Sequence, residues 1–202
     1  MLLSNKTSSH LKLSKRESEV CLRQYEKGDE ITVSNSDIWQ VYRGVVQLSR
    51  VKHDGREIIV GWVTANGTFG NYFDGESESY RAVALGTVYA KRYSTADVVR
   101  YPLLARQFLA QYSDRLLKSE QLLSIIGVRK VEHRLKLLLL MLKQEIGQAV
   151  GDDIRLQVRF THQHLAEAIC TTRVTITRIL GDFQNRGLIY LDCDRHIVFK
   201  DL

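Results

Sequence analysis

Between residues 161 and 190 the chain reads THQHLAEAICTTRVTITRILGDFQNRGLIY, where two arginines and several hydroxyls lie on a short helical pattern. At about 100° per residue, Thr175, Ile176, Ile179, Leu180 and Phe183 fall on one side. Val174, Thr177, Arg178 and Gly181 fall on the other, with Arg173 at the boundary. The first side can pack, and the second offers guanidinium and hydroxyl donors to something outside. Just upstream, the Thr161 hydroxyl can accept from a free backbone N–H and cap a first helix, on which Leu165, Ala168 and Ile169 share one face. Two short amphipathic helices, a tight turn and the start of a hairpin form the layout of a winged helix-turn-helix. LIYL and HIVF flank Asp192, Cys193, Asp194 and Arg195 as the wing. Double-stranded DNA is the expected partner.

The elements ahead of this segment must hold it in place. Residues 19–96 carry short β-type runs, WQVYRG, VVQLSRV, EIIVGWV and YRAVALG, broken by Gly, Asn and Asp, with a strong hairpin signal at Asp54-Gly55. Evenly spaced strands with no helical pattern between them predict an antiparallel roll or sandwich. The first ~18 residues are polar and read as loosely held. The period then changes: Leu109, Tyr112, Leu116, Ser119, Leu123 and Ile126 alternate spacings of 3 and 4, the seam of a coiled coil, with Pro102 just ahead. That seam suits a homodimer, or else a long helix packed on its own roll. Gly127 interrupts, as a hinge or a helix cap. Val131, Leu135, Leu138 and Leu142 renew the stripe on a second helix, and GQAVGDD reads as a loop before IRLQVRF. The expected class is α+β, with a β-roll over 1–101, a dimerisation helix over 102–126 and a winged helix-turn-helix over 127–202.

Composition excludes several classes. With 202 residues, 44% hydrophobic and 26% charged, the chain can bury a sizeable core. The apolar run 137–142 is far short of the ~20 residues of a membrane span, and no signal peptide stands at the start, so a cytoplasmic protein with no membrane partner is expected. Cys21, Cys170 and Cys193 are far apart, with no spacing for a disulfide framework or a metal set. A net charge of +6 suits a polyanion but is modest.

Taken together, the roll, the long helix and the winged helix-turn-helix resemble the Crp/Fnr family of bacterial transcription regulators over nearly the whole chain. The roll pattern runs from Tyr25 and Gly28 through Gly44, Asp54-Gly55 and Glu57 to Gly67-Thr68-Phe69-Gly70, and resembles that family's cyclic-nucleotide-binding domain. THQHLAEAI, TTRVTITRILGDF and GLI are similar to its cyanobacterial nitrogen-control branch. The chain starts late against this pattern, which implies that the N-terminal helix of many members is missing. The resemblance implies a recognition helix in which Arg178 pairs with guanine and Arg173 supports by holding phosphate. Thr175 and Thr177 add phosphate or base contacts. Val174 stands where catabolite-type members have Glu; it cannot accept from cytosine N4 but can pack on a thymine methyl. Cys170 occupies a turn position where relatives usually carry Gly, so a strained turn is expected there. RNA polymerase is an implied further partner.

For the sensor half, the resemblance implies a Glu after the cassette glycine, an Arg-Ser pair and a Thr-Ser on the dimer helix. Here stand Gly67-Thr68, Glu78-Ser79-Tyr80-Arg81 and Lys118-Ser119. The cyclic-nucleotide set is broken, and cyclic AMP is not expected. The nitrogen-control branch implies 2-oxoglutarate instead, with Arg115 and Glu120 as matching ligands beside Gly67, Phe69 and Gly70. Glu78 stands where an Arg is expected, which leaves Arg81 to substitute. Arg115 and Glu120 read equally well as an ordinary helix pair or as solvated charges, so the chain is expected to take a small acid or to work without cofactor or effector.

Two rival functions are a cupin-like metal enzyme on the roll and a nonspecific DNA-architectural protein. The first needs a cluster of His and carboxylate ligands, and the predicted strand run over residues 19–96 holds only His53. The second predicts equal binding to all duplexes.

Overall fold

A computed structural model describes residues 22–34, 37–51, 55, 57–70 and 80–200. The loosely held start, Cys21, His53, Asp54, Glu78 and Ser79 lie outside the described residues. The N-terminal half is built from β1 (Arg23–Tyr25), β2 (Asp37–Arg43), β3 (Val46–Val51), β4 (Glu57–Val63), β5 (Thr68–Gly70), β6 (Tyr80–Ala84) and β7 (Val88–Ser94). They form two antiparallel sheets, ordered β1-β7-β2-β5 and β4-β3-β6. Between the sheets lies a core of Ile31, Trp39, Val41, Val46, Leu48, Val63, Phe69 and Val88. β3 and β4 pair antiparallel as neighbours in sequence, with Val51 opposite Glu57 and five residues between them. The short strands β1 and β5 carry no alternation of their own in three residues and are held by pairing to β7 and β2.

Helix α1 (Thr95–Arg100) follows, capped by Ser94 and Asp97 in a reciprocal pair. Helix α2 (Pro102–Ile126) begins with its proline in the first turn, where a missing N–H costs nothing. It turns Phe108, Leu122 and Ile125 inward and leaves Leu109, Tyr112, Leu116 and Leu123 exposed. Ile126 is partly buried against the core of the same chain. Gly127 is right-handed at φ −66°, and its N–H bonds to the carbonyls of Ile125 and Leu123, so it caps α2.

Helix α3 (Val131–Ile146) buries Leu135, Leu138, Leu139, Met141, Leu142 and Ile146. The loop expected at GQAVGDD is instead mostly strand: β8 (Gly147–Val150) pairs with β9 (Asp153–Leu156). Only a tight turn separates them, with Gly151 left-handed at φ 62°. The glycine at the helix-to-strand junction is needed for space, since a Cβ on Gly147 would stand 2.2 Å from the Lys143 carbonyl oxygen. Two short helices, α4 (His162–Ala168) and α5 (Arg173–Asn185), precede β10 (Ile189–Leu191) and β11 (Ile197–Phe199). The wing is thus a four-stranded sheet ordered β10-β11-β9-β8.

The roll and the C-terminal half share one apolar core. Val45, Ile59, Trp62 and Leu85 of the roll cluster with Leu122 and Ile125 of α2 and with residues of α3, α4 and α5. Among the described residues no helix is long and apolar enough to cross a membrane.

Candidate nucleic-acid interface

Helices α4 and α5 start where their caps dictate. The Thr161 hydroxyl accepts from the His164 N–H at 3.1 Å, and the Thr172 hydroxyl accepts from the Thr175 N–H at 3.2 Å. Leu165, Ala168 and Ile169 are buried on one face of α4, and Ile176, Ile179, Leu180 and Phe183 on one face of α5. The turn between them passes through Cys170 at φ 53°, the left-handed backbone expected of a glycine there. Its closure is sealed by Thr171 N–H donating to the Ala166 carbonyl at 2.9 Å.

This geometry leaves Arg173, Val174, Thr177 and Arg178 exposed on α5, with Val174 79% exposed although apolar. Thr175 is half-buried, and its hydroxyl lies 2.9 Å from that of Thr172, so it serves the cap. Thr177 donates its hydroxyl to the Arg173 carbonyl at 2.9 Å and meets His162 Nδ1 at 2.7 Å. Among the described residues, no carboxylate pairs with Arg173 or Arg178, nor with Arg159 or Arg195 nearby. Two other arginines of this half are paired with carboxylates: Arg155 with Asp192 and Asp194, and Arg186 with Glu132 and Asp182. Arg159, His162, Arg173 and Arg195 line an open cleft of about 410 Å³ between α4, α5 and the wing. Sequence reading missed Arg159 and His162, whose only signal was adjacency to the Thr161 cap.

The sensor residues are placed unequally. Arg115 reaches from α2 to the Thr68 carbonyl at 3.5 Å and lies over the Tyr112 ring. With Arg50, Trp62, Lys118 and Glu145 it lines a cavity of about 190 Å³ between β3, β4, α2 and α3. Gly67 joins Arg115 along a neighbouring cavity of about 310 Å³. Arg81 does not join them: its guanidinium donates to Glu30 and to Glu57, each at 3.0 Å. The Phe69 ring is fully buried and stacks on Trp39, so it belongs to the roll core. Gly70, at φ 131°, is required because a Cβ there would stand 2.1 Å from the Asp37 carbonyl oxygen. Glu120 is exposed on another face of α2, since five residues of helix turn it about 140° from Arg115. Lys118, which sequence reading did not single out as a ligand, is paired with Asp114 and Glu145. Burial favours its neutral form, but hydrogen bonds to those carboxylates outweigh this and raise its pKa. Ser119 donates to the Arg115 carbonyl. Among the described residues no group of three or more His, Cys, Asp and Glu could hold a metal ion.

A helix-turn-helix with a bare cationic face, carried on a long helix and an antiparallel roll, defines a DNA-binding transcription regulator. Residues 133–202 match the Crp-like helix-turn-helix domain. The chain is 33% identical over 190 residues to the global nitrogen regulator of Synechococcus elongatus, covering 89% of this chain and 86% of that one. It is 26% identical to a CRP-like cAMP-activated global transcriptional regulator of Mycobacterium tuberculosis, over 83% of this chain and 74% of that one. A CRP/FNR-family regulator of Thermus thermophilus has the same fold, with a TM-score of 0.72 at 22% identity over 90% of this chain and 94% of that one. The chain belongs to the Crp/Fnr family, and it is a regulator, not an enzyme.

Proposed function

We propose that the protein binds a near-palindromic promoter site as a homodimer, with Arg178 as principal base contact and Arg173 as phosphate support. The observation that carries this reading is the exposed face of α5, whose guanidiniums have no carboxylate partners among the described residues. Two recognition helices in successive major grooves would stand about 34 Å apart. Leu109, Tyr112, Leu116 and Leu123, left exposed along α2, supply the apolar seam for the second copy. Val174 sets a half-site different from the catabolite type. The relative's designation as a global nitrogen regulator supports a role in nitrogen control, acting with RNA polymerase.

The effector, in this reading, is a small acid such as 2-oxoglutarate in the cavity that Arg50, Arg115 and Lys118 line. A second reading, with no effector, is favoured by the pairing of Lys118 with Asp114 and Glu145, which supplies internal carboxylates where a ligand's would go. Anisotropy titrations of palindromic and random duplexes test the DNA reading. Equal affinity for all sequences, or no loss on Arg178→Ala, overturns it. Calorimetry with 2-oxoglutarate, repeated on Arg115→Ala, separates the two effector readings.

A further inference from the structure

We propose that His162 is a further DNA-binding residue, which takes up a proton when a backbone phosphate enters the cleft it shares with Arg159, Arg173 and Arg195. Two hydrogen bonds at Thr177 fix the tautomer of His162. A carbonyl oxygen only accepts, so the bond from Thr177 Oγ to the Arg173 carbonyl uses the single hydroxyl proton of Thr177. The 2.7 Å contact between that same oxygen and His162 Nδ1 therefore takes its proton from the imidazole. Neutral His162 is thus protonated at Nδ1, and Nε2 carries only a lone pair.

A phosphate oxygen is likewise acceptor-only and cannot bond to that lone pair. Protonation at Nε2 turns the ring into a donor at both nitrogens, so that Nδ1 keeps Thr177 in place while Nε2 holds the phosphate. The surroundings set the sign. Arg173 faces His162 from α5, Arg159 from the segment leading into α4, and Arg195 from the wing turn, and no carboxylate lines the cleft. On α4 itself, Glu167 is held by the Gln163 amide at 2.8 Å. Burial first, and then Arg173, keep the free imidazole below the ordinary histidine range, hence neutral near pH 7. A phosphate seated among these cations reverses that field and raises the imidazole pKa. DNA affinity then rises as pH falls through the bound-state pKa, and levels off below the free-state pKa.

The inference rests on α5 being the reading helix, and the test separates the two. Full-length protein is titrated into palindromic and random duplexes from pH 8 to 5.5 at fixed ionic strength. Wild-type affinity is expected to rise by roughly tenfold on both duplexes, because each protomer takes up as much as one proton. His162→Gln should keep its preference for the palindrome and lose the rise. His162→Arg, with a permanent charge, should bind at pH 8 about as the wild type does at pH 5.5. Arg178→Ala should lose the preference and keep the rise. A rise that survives in His162→Gln, or a flat wild-type profile, overturns the proposal alone; absence of binding at every pH overturns both readings. Nitrogen-15 spectra of the wild type give an independent check: Nδ1 protonated in the free protein, and both nitrogens protonated on DNA at the same pH. An imidazole that stays neutral in the complex overturns the proposal.

Discussion

The indole of Trp62 on β4 meets the ring of Phe160, just ahead of α4, edge-on at 5.7 Å between centroids and 88° between planes. One ring belongs to the roll and the other to the DNA-binding half, and both are buried in a core that runs across the junction. Edge-to-face geometry sets the positive rim of one ring against the negative face of the other. The position of the helix-turn-helix relative to the roll is therefore set by packing as well as by the chain connection through α2.

Phe160→Ala should cost about 3 kcal/mol, the usual loss for a buried aromatic truncated in a core. Because the contact lies between the two halves, denaturant unfolding should also separate into two transitions. A single transition at the wild-type midpoint would show that the rings do not couple the halves.

Along α2, Leu109, Leu116 and Leu123 are each more than half exposed. Leu116→Glu places a charge in the middle of that seam and should turn a dimer into a monomer in sedimentation experiments. Specific DNA affinity should fall with it, since one recognition helix alone reads only half a site.

On α5, Val174→Glu adds a carboxylate that can accept from cytosine N4. The preferred half-site should change at one base pair by about 1–3 kcal/mol, while phosphate contacts and the salt dependence stay nearly constant. Selection from a random duplex pool measures the change.

Cys170 holds a left-handed backbone at φ 53° and is exposed, so its side chain contributes little packing. A non-glycine residue there costs roughly 1–2 kcal/mol. Cys170→Gly removes that cost but adds unfolded-state entropy of about 0.4–1 kcal/mol, leaving a net gain of roughly 0.5 kcal/mol. The melting temperature should rise by about 1–2 °C. A fall would mean that the thiol contributes a contact in solution.

What the sequence determined alone are features governed by local periodicity and local capping. Thr161 caps because its hydroxyl needs only its own next turn. The buried and exposed faces of α5 follow from a 3.6-residue period that neighbours do not alter. The paired strands β3 and β4 were legible for the same reason, as a hairpin is a local object. The family was legible because those local patterns recur in one order along the chain.

Tertiary structure decided everything that depends on which side chains meet across sequence distance. Arg81, a plausible anion ligand by position, is held by Glu30 and Glu57 from two other segments. Phe69 turned into the roll core, and β8 formed where turn-rich composition suggested a loop, because β9 offered a strand edge to pair with. His162 gained its bond to Thr177, fifteen residues on, only when α4 packed against α5. Periodicity specifies which face of an element is apolar, whereas hydrogen bonds and ion pairs depend on distances of a few ångströms that only the packed chain sets.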